Sequence, residues 1–465
     1  MEPEQPLLVH ANNVTRKDFA ESWEVLSGEA YKVIWLAWPM VVVSVSQYLV
    51  QAVPMMMLGH LDELALSSAS VATSLSTVTG YSLIFGMACA LETLCGQAYG
   101  AKHYKKVGTF TYGAIIWLFL ACMPVCVLWI YTGRLLILIG QDPVISVEAG
   151  KYSIWLIPSL FPYAILQSLV RYLQTQSLIL PMLLSTVASL CLHLPLSWAL
   201  IFKLKLGNAG AALSIGLSYW LNAIMLGLYV KYSSSSFLST PSFAAVMNCL
   251  EWWTVEIIIL CGGLLPNPEL ETSVLSICLT IISMHFGIQY AFGAAASTRV
   301  SNELGAGKAQ AAQLAVSTVL VLSIVEFVIA STAIFTCRYT LGYLFSNEKD
   351  VVYYIKEMTP FVCIFIVFDS LQAVFSGVAR GSGWQNVGAY VNLGAYYLVG
   401  IPVSLLLGFV LPLQGKGLWC GLIVGAMVQS VLLVIITFRT DWEKQAVEAR
   451  RRIFEGKLPT RDQLV

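Results

Sequence analysis

Residues 358–379 read MTPFVCIFIVFDSLQAVFSGVA, a run of 22 residues in which Asp369 is the one charged side chain. A helix of about 20 mostly apolar residues is long enough to cross the hydrocarbon core of a bilayer. The run therefore predicts a transmembrane helix with an acid near its centre. Such an acid costs roughly 2.5–3.5 kcal/mol on insertion scales, so it faces a cavity, pairs with another group or stays neutral.

The rest of the chain has the same apolar character. Of its 465 residues, 57% are apolar and 11% are charged, whereas soluble domains carry about 25% charged residues. Residues 1–32 hold 9 charged side chains and residues 439–465 hold 12, which leaves 31 for the 406 residues between them. So few charges cannot form a water-exposed surface, and the composition indicates a membrane protein. The formal net charge of zero predicts no nucleic-acid partner.

Twelve apolar runs along the chain are long enough to span a bilayer, and the loops between them are too short to hold a soluble domain. We number these predicted segments 1 to 12: 33–57, 67–91, 108–131, 150–170, 179–201, 209–230, 243–265, 273–297, 312–336, 354–378, 386–411 and 417–438. The predicted fold class is an all-α polytopic membrane protein with twelve transmembrane helices.

The distribution of basic residues predicts the orientation. An even number of spans places both tails on the same side of the membrane, and cytosolic loops carry an excess of Lys and Arg. The loop after segment 2 holds Lys102, Lys105 and Lys106, whereas loops 58–66 and 266–272 on the opposite side hold no Lys or Arg. We therefore expect both tails in the cytosol. The polar, acidic N-terminus does not have the pattern of a cleaved signal peptide.

The two halves of the chain carry a weak internal repeat at an offset of 205 residues. Gly100-Ala101 then aligns with Gly305-Ala306, and the pattern GxxLxxGL occurs at 210–217 and again at 415–422. Six segments per half give both halves the same orientation, so the repeat predicts two lobes related by a pseudo-two-fold axis along the membrane normal. Duplicated bundles of this kind are typical of transporters. The predicted division is: tail 1–32, N-lobe 33–230, inter-lobe loop 231–242, C-lobe 243–438 and tail 439–465.

The repeat also indicates where the halves differ. Glu256 aligns with Gln51 and Asp369 aligns with Ala164, so the second half has two mid-membrane acids that the first half lacks. Phe365, Gln372 and Ser376 share the face of Asp369 at helical spacing, which predicts a cavity-lining face. Trp252 and Trp253 are close to Glu256 in segment 7. Both acids are candidate proton- or substrate-binding residues, and a structural role is the alternative for each.

Other polar residues inside the predicted segments are weaker candidates. His285 and Gln289 form an i, i+4 pair in segment 8, for which a cavity role and a packing role are equally compatible with the pattern. Asn392 either completes a polar cluster or joins two helices. Glu326 and His193 have no polar neighbours on their own helix faces, which favours structural roles. Glu92, near the end of segment 2, is predicted to be a solvated acid.

No sequence motif indicates an enzyme or a bound cofactor. Gly305-Ala306-Gly307-Lys308 resembles the end of a phosphate loop, but Asn302 occupies the position of the first glycine and no Ser or Thr follows the lysine. No ligand spacing predicts a metal. Three other functions are compatible with this architecture: a lipid flippase of similar two-lobe build, a facilitative channel or uniporter, and an intramembrane metalloenzyme.

Several stretches resemble one transporter family. They are ASTRVSNELGAG at 296–307, LETLCGQAYGA at 91–101, LLPNP at 264–268, GVARGSGWQ at 377–385 and Pro39-Met40. These motifs are similar to those of the multidrug and toxic compound extrusion (MATE) carriers, in the plant detoxification subgroup, and the resemblance spans roughly residues 30–440. It implies a twelve-helix, two-lobe efflux carrier that exchanges protons for organic compounds.

The resemblance also implies roles for particular residues. Family members place acids in segments 7 and 10, which match Glu256 and Asp369, and a proline in segment 1, which matches Pro39. Some prokaryotic relatives use an N-lobe Asp in segment 1. This chain has Gln47 and Gln51 there instead, which argues against an N-lobe proton site.

These observations predict a mechanism. If Glu256 and Asp369 share a cavity, they titrate as a coupled pair, and protonation of the pair releases a substrate that binds to the same carboxylates. Helices bend at Pro39 and Pro360. Aromatic side chains cover a flat cation: Trp252, Trp253, Phe365 or Tyr290. The expected partners are a small organic substrate, protons and the lipid bilayer. The protein is expected to be a monomer in the plasma or the vacuolar membrane.

Overall fold

The computed structural model describes residues 7–61, 63–233, 265–345, 348–411 and 413–454, together with residues 254, 255, 257, 258 and 261. For residues 7–23 it describes the backbone alone. Every regular element in this part of the chain is a helix.

The described part of the first half contains ten α-helices. They are α1 (Leu7–Leu58), α2 (Glu63–Ser76), α3 (Ser82–Ala88), α4 (Ala90–Gly100), α5 (Tyr104–Ile130), α6 (Thr132–Leu138), α7 (Pro143–Leu156), α8 (Leu160–Thr175), α9 (Ile179–Trp198) and α10 (Gly207–Ser233). A π-helical turn, Thr77–Tyr81, joins α2 to α3, and Ala199–Lys203 extends α9 in the same way. A 3-10 turn, Ile157–Ser159, joins α7 to α8.

The second half contains seven α-helices among the described residues. They are α11 (Pro268–Gly305), α12 (Ala309–Thr336), α13 (Lys349–Ser382), α14 (Gln385–Asn392), α15 (Ile401–Leu405), α16 (Gln414–Phe438) and α17 (Trp442–Phe454). Two 3-10 turns, Cys337–Tyr339 and Leu341–Leu344, follow α12. The π-helical turns Leu393–Gly400 and Leu406–Val410 interrupt segment 11.

Eleven helical stretches among the described residues are long and apolar enough to span a membrane, and they correspond to segments 1–6 and 8–12. Segment 7, at 243–265, lies largely outside the described residues. Segments 2 and 8 reach further than predicted, because their helices continue to Gly100 and Gly305. The added turns are polar in sequence, and most of their residues are buried against other helices. Segment ends that are predicted from apolar character alone therefore fall too early in segments 2 and 8.

The described helices continue through the prolines that were predicted to bend them. Pro39 lies inside α1 and Pro360 inside α13. The irregular turns occur elsewhere, in segments 2, 4, 5 and 11. Segment 2 contains no proline, so proline is not the sole cause of irregular geometry in these helices. The role of Pro39 and Pro360 in bending stays a prediction.

Buried apolar side chains form three main clusters. The members of one run from Val43 to Leu226, within the first half. A second runs from Ile258 to Ala426, within the second half. The third joins the halves. It combines Ile179 and residues 33–40 of α1 with residues of segments 8, 9 and 10 and of α17. It lies toward the side of the membrane on which both chain tails are predicted, which we call the tail side. Two separately packed bundles therefore meet along a third apolar seam. The predicted loop between them, 231–242, lies largely outside the described residues, and the division into domains stays a prediction.

Candidate functional site

Asp369 lines a small cavity inside the second bundle. The cavity has a volume of about 80 Å³, and its other lining residues come from five segments: Val255, Leu279, Ile282, Ser283, Phe286, Phe365, Tyr396, Trp419 and Leu422. Asp369 is 6% exposed. The rings of Phe365 and Trp419 are 6.1 Å apart. We call this space the C-lobe cavity. It surrounds one carboxylate with four aromatic rings and few other polar groups.

Helical spacing predicted part of this arrangement correctly. Phe365 and Asp369 are four residues apart, so their side chains lie on one face of α13, and both line the C-lobe cavity. Gln372 and Ser376 do not line it. The Gln372 amide nitrogen donates a hydrogen bond to the Ser376 hydroxyl at 3.1 Å instead. On the predicted polar face, Phe365 and Asp369 therefore line the cavity, whereas Gln372 and Ser376 bond to each other.

Segment 8 supplies the polar neighbours of Asp369. The side chain of Gln289 is within hydrogen-bonding range of Asp369, and His285 interacts with it electrostatically. The Gln289 amide nitrogen also donates to the hydroxyl of Ser370 at 3.1 Å. The structure thus brings the predicted pair His285 and Gln289 to the acid of segment 10.

His285 has a second acidic partner that sequence reasoning missed. Its Nε2 atom lies 2.7 Å from Oε1 of Glu326 in segment 9. The spacing along segment 9 contains no signal for this contact, because Glu326 has no polar neighbours on its own helix face. The signal was instead the presence of a second ionisable residue, in the next segment along the chain, at a similar distance into the membrane.

Asn392 does not join the C-lobe cavity. Its Oδ1 atom accepts a hydrogen bond of 2.7 Å from the amide of Gln429 in segment 12, and both residues are fully buried. This contact corresponds to the alternative in which Asn392 joins two helices. His193 likewise hydrogen-bonds within the first bundle, with Nδ1 2.7 Å from the Ser218 hydroxyl.

Three residues predicted in segment 7 lie outside the described residues: Glu256, Trp252 and Trp253. The neighbouring Val255 lines the C-lobe cavity and Thr254 is fully buried. The predicted role of Glu256 stays a prediction.

A larger cavity of about 530 Å³ lies between the two bundles. We call it the inter-lobe cavity. Its lining combines residues of segments 1 and 2 with residues of segment 8: Ser44, Val45, Gln47, Tyr48, Leu49, Gln51, Thr77, Phe85, Ser283, Met284, Phe286, Gly287 and Tyr290. Tyr290, a predicted cavity residue, belongs here. Ser283 and Phe286 line both cavities, so segment 8 forms a shared wall between them.

Glu92 was predicted to be solvated, and this prediction was wrong. It is 0% exposed and is held between two guanidinium groups. Its Oε1 atom lies 3.1 Å from Nε of Arg171, and its Oε2 atom lies 3.0 Å from Nε of Arg380. Glu92 and Arg171 lie on α4 and α8 of the first half, whereas Arg380 lies on α13 of the second half, so this inter-lobe ion cluster crosses between the bundles.

Aromatic rings separate the inter-lobe ion cluster from the inter-lobe cavity. The Arg171 guanidinium lies 4.9 Å from the ring centroid of Phe85 and 5.6 Å from that of Tyr290. A ring face attracts a cation, so these rings help to compensate a cluster that contains two guanidinium groups and one carboxylate. A signal for the cluster was present in the sequence, because Glu92, Arg171 and Arg380 all lie just beyond the tail-side ends of predicted segments.

Backbone contacts close the tail-side end around this cluster. A Cβ atom at Gly100 would overlap the carbonyl group of Asn302, and one at Gly305 would overlap the carbonyl group of Gln97. The Thr93 hydroxyl donates a hydrogen bond to the Arg380 carbonyl oxygen. The motifs at 91–101, 296–307 and 377–385 therefore form one contact region, in which the two bundles touch at this end.

Comparison with known proteins agrees with this architecture. The chain matches the family model described as MatE over residues 39–199 and 244–406. The matched stretches start 205 residues apart, which is the offset of the internal repeat. Protein DETOXIFICATION 14 from Arabidopsis thaliana is 51% identical over 442 residues, which cover 91% of each chain. Protein DETOXIFICATION 8 from the same species is 50% identical over 441 residues, again 91% of each chain.

Solved structures give the same result. The crystal structure of the eukaryotic MATE transporter AtDTX14 matches with a TM-score of 0.88 at 50% identity, and covers 92% of this chain and 99% of that one. An outward-facing multidrug resistance MATE family transporter of the MOP superfamily matches with a TM-score of 0.77 at 14% identity, over 91% and 97% of the two chains. At 14% identity, the comparison with the outward-facing transporter shows a shared fold alone.

These comparisons confirm the predicted fold class of twelve transmembrane helices in two lobes. They also confirm that the protein is a multi-pass membrane transporter and not an enzyme. The chain therefore belongs to the MATE family of multidrug and toxic compound extrusion transporters, in its plant DETOXIFICATION-type subgroup.

Proposed function

We propose that this transporter exports organic cations, xenobiotics or secondary metabolites in exchange for protons. The observation that carries the proposal is the position of Asp369, a buried acid in an aromatic C-lobe cavity that shares a wall with the inter-lobe cavity. A buried acid without a counter-ion on its own helix is costly in a membrane, and such residues commonly mark proton pathways.

The sizes of the two cavities suggest separate sites for proton and substrate. Ligand pockets for drug-sized molecules usually measure about 300–1,000 Å³. The inter-lobe cavity, at about 530 Å³, is in this range, whereas the C-lobe cavity, at about 80 Å³, is too small. We therefore assign the substrate to the inter-lobe cavity and the proton to Asp369.

Electrostatics then couples the two sites. In a medium of low dielectric constant, the ionised carboxylate of Asp369 attracts a cation in the neighbouring cavity. The aromatic rings of Phe286 and Tyr290, which line the inter-lobe cavity, offer their faces to the same cation. Protonation of Asp369 removes the attraction and releases the substrate. Glu256, on segment 7, is proposed to share the proton.

Transport also requires the cavity to open to one side at a time. We propose that the two bundles rock about the third apolar seam, with bends at Pro39 and Pro360. We also propose that the contact region at the tail-side end, which is closed in this structure, faces the cytosol. Both tails are then cytosolic, and the protein lies in the plasma or the vacuolar membrane as a monomer without a cofactor. Across either membrane an inward proton gradient would drive export from the cytosol.

Proteoliposomes test the proposal. We expect a pH gradient to drive uptake of a fluorescent organic cation by the wild type. Asp369→Asn and Glu256→Gln should reduce gradient-driven uptake to the level of empty liposomes, because neither amide carries a proton between the two sides. Asp350→Asn removes an exposed acid from the first turn of the same helix and should transport like the wild type.

The result that contradicts the proposal is gradient-driven uptake that persists in Asp369→Asn. Uptake that does not depend on the gradient in the wild type would instead indicate a facilitative carrier. Size-exclusion profiles of each variant in detergent show whether a loss of transport reflects a loss of folding.

A further inference from the structure

A further cavity, of about 170 Å³, lies between helices α5, α8 and α10 of the first bundle. We call it the α5–α10 groove. Gly108 near the start of α5 and Lys231 near the end of α10 line it, which places it at the tail side, where odd-numbered segments begin and even-numbered segments end. Helix α8 packs against both α5 and α10. It forms the floor of the groove, where Leu169 and Tyr172 are 6% and 5% exposed.

The groove opens toward the surface that faces lipid. Tyr112, which lines it, is 47% exposed, and the neighbouring Ile116 and Leu228 are each 50% exposed. Gly227 adds open space to the groove, because a Cβ atom there would meet no atom within 4 Å. Helices α5 and α10 therefore leave a gap that a chain from the surrounding bilayer can enter.

The lining changes from apolar to polar along the groove. Ile115, Ile165 and Leu169 line the part that lies further from the tail side along their helices. Lys231, in the last turn of α10, lines the tail-side end. A lysine near a helix end extends toward the lipid headgroups, and tyrosines such as Tyr112 are common at the same level of a membrane. A molecule that matches this lining has an apolar chain joined to a polar head.

The charge at the tail-side end of the groove is positive. Residues 93–141 and 149–250, which include all of α5, α8 and α10, contain neither Asp nor Glu. Lys105 precedes Tyr112 by seven residues, which is two helical turns, so it lies on the same face of α5. Both Lys105 and Lys231 are exposed. This end of the groove therefore favours an anionic head over a neutral one.

We propose that the α5–α10 groove binds an anionic phospholipid of the tail-side leaflet. The phosphate lies against Lys231 and Lys105, and one acyl chain lies over Leu169 between α5 and α10. Basic pockets between membrane helices bind anionic headgroups, and the cytosolic leaflet is the one that carries anionic lipids. This agrees with the cytosolic tails proposed above. The bound lipid fills a gap between two helices and stabilises the first bundle, whichever group carries the proton.

Lipid titration of the purified full-length protein in detergent tests the inference, with native mass spectrometry as the readout. The probes are dioleoyl phosphatidylserine and dioleoyl phosphatidylcholine, which have the same chains and differ in net charge. We expect the wild type to bind phosphatidylserine more tightly. Lys231→Met and Lys105→Met should each weaken phosphatidylserine binding by about fivefold, the effect of one lysine beside an anionic headgroup. Neither variant should change the binding of phosphatidylcholine.

Lys308→Met is the matched control. It removes an exposed lysine on the same side of the membrane, in the loop after segment 8 of the second half, and should bind both lipids like the wild type. Glycerophosphoserine, the headgroup without its chains, should not displace phosphatidylserine at the same concentration. A phosphatidylserine with a photoreactive diazirine in one acyl chain gives the location directly. Peptide mapping of the wild type should find its label on α5, α8 or α10.

Each outcome decides the inference. Equal affinity of the wild type for the two lipids overturns it, and so does equal phosphatidylserine binding by Lys231→Met and Lys308→Met. Displacement by glycerophosphoserine would mean that a soluble phosphate ester, and not a lipid, occupies the site, and would also overturn it. A label confined to the second half overturns it without the use of any variant. None of these results affects the test of proton exchange described above.

Discussion

At the scale of single residues, the tail-side contact depends on two glycines that have no room for a side chain. A Cβ atom at Gly100 or Gly305 would overlap a backbone carbonyl group of the opposite lobe. A backbone group cannot rotate away as a flexible side chain can. The motif glycines therefore set how closely segments 2 and 8 approach each other.

We expect Gly305→Ala to destabilise the protein by roughly 1–3 kcal/mol, the usual range for overpacking. The added methyl group would meet the carbonyl of Gln97. Thermal unfolding of the purified protein measures the effect. Gly227→Ala, at a helical position where a Cβ meets no atom within 4 Å, is the control and should not lower the unfolding temperature. Equal stability of both variants would contradict the close approach of the lobes.

At the scale of elements, the C-terminal helix α17 is the least expected feature. The sequence predicts a cytosolic tail for residues 439–465. Within that stretch Trp442–Phe454 form a helix that packs across the tail-side contact region. Arg452 donates a hydrogen bond of 2.9 Å to the carbonyl of Ser382 in the second half, and Lys106 in the first half donates one to the carbonyl of Ile453. The helix thus contacts both lobes.

The docking depends on one stripe of side chains: Trp442, Ala446, Ala449 and Ile453, all buried. We expect Ala449→Glu to release α17, because a charge in a buried site without a partner is costly. Limited proteolysis should then cleave after Lys444 and the arginines of α17 faster than in the wild type. Val447→Glu introduces the same charge at a site that is 67% exposed and should leave cleavage unchanged. Equal cleavage of the two variants would mean that the stripe does not hold the helix.

At the scale of the whole molecule, the inter-lobe ion cluster links the two bundles through buried charges. Arg380 is its sole C-lobe member, and Glu92 keeps Arg171 as a partner if Arg380 is removed. Arg380→Met therefore removes the ion pair that joins the lobes within this cluster, without leaving an uncompensated carboxylate. Glu92→Gln, by contrast, would leave two buried guanidinium groups without a counter-ion, which is strongly destabilising.

We expect Arg380→Met to open the tail-side end more often. A hydrogen bond between charged groups contributes roughly 1.5–3 kcal/mol, so the open population should rise by roughly 10- to 100-fold. Cys89 is a native reporter, because it is 0% exposed and contacts Arg171. Its modification by a maleimide, followed by mass spectrometry, should accelerate accordingly. Lys416→Met, which breaks an ion pair within the C-lobe, is the control. An unchanged rate in Arg380→Met would mean that other contacts keep this end closed.

The sequence predicts contacts between residues on one helix better than contacts between residues on different helices. Asp369 and Phe365 were predicted to share a face, and they do line one cavity, because an i, i+4 relation within a single helix is local. The contact between His285 and Glu326 spans 41 residues and depends on how two helices pack. Glu92 was misjudged for a related reason: the polarity of its surroundings suggested water, but its neighbours in space are two arginines from other segments.

The sequence by itself determined that this is a helical membrane protein with two similar halves. Those properties follow from apolar runs matched to the bilayer thickness and from a repeat along the chain, and both are local or periodic. Only the tertiary structure decided which buried charges meet. Glu92 with Arg171 and Arg380, and His285 with Glu326, are brought together by helix packing, and a single sequence records no distance between helices. In a membrane a buried charge requires a partner, but its own sequence neighbourhood does not say which partner it has.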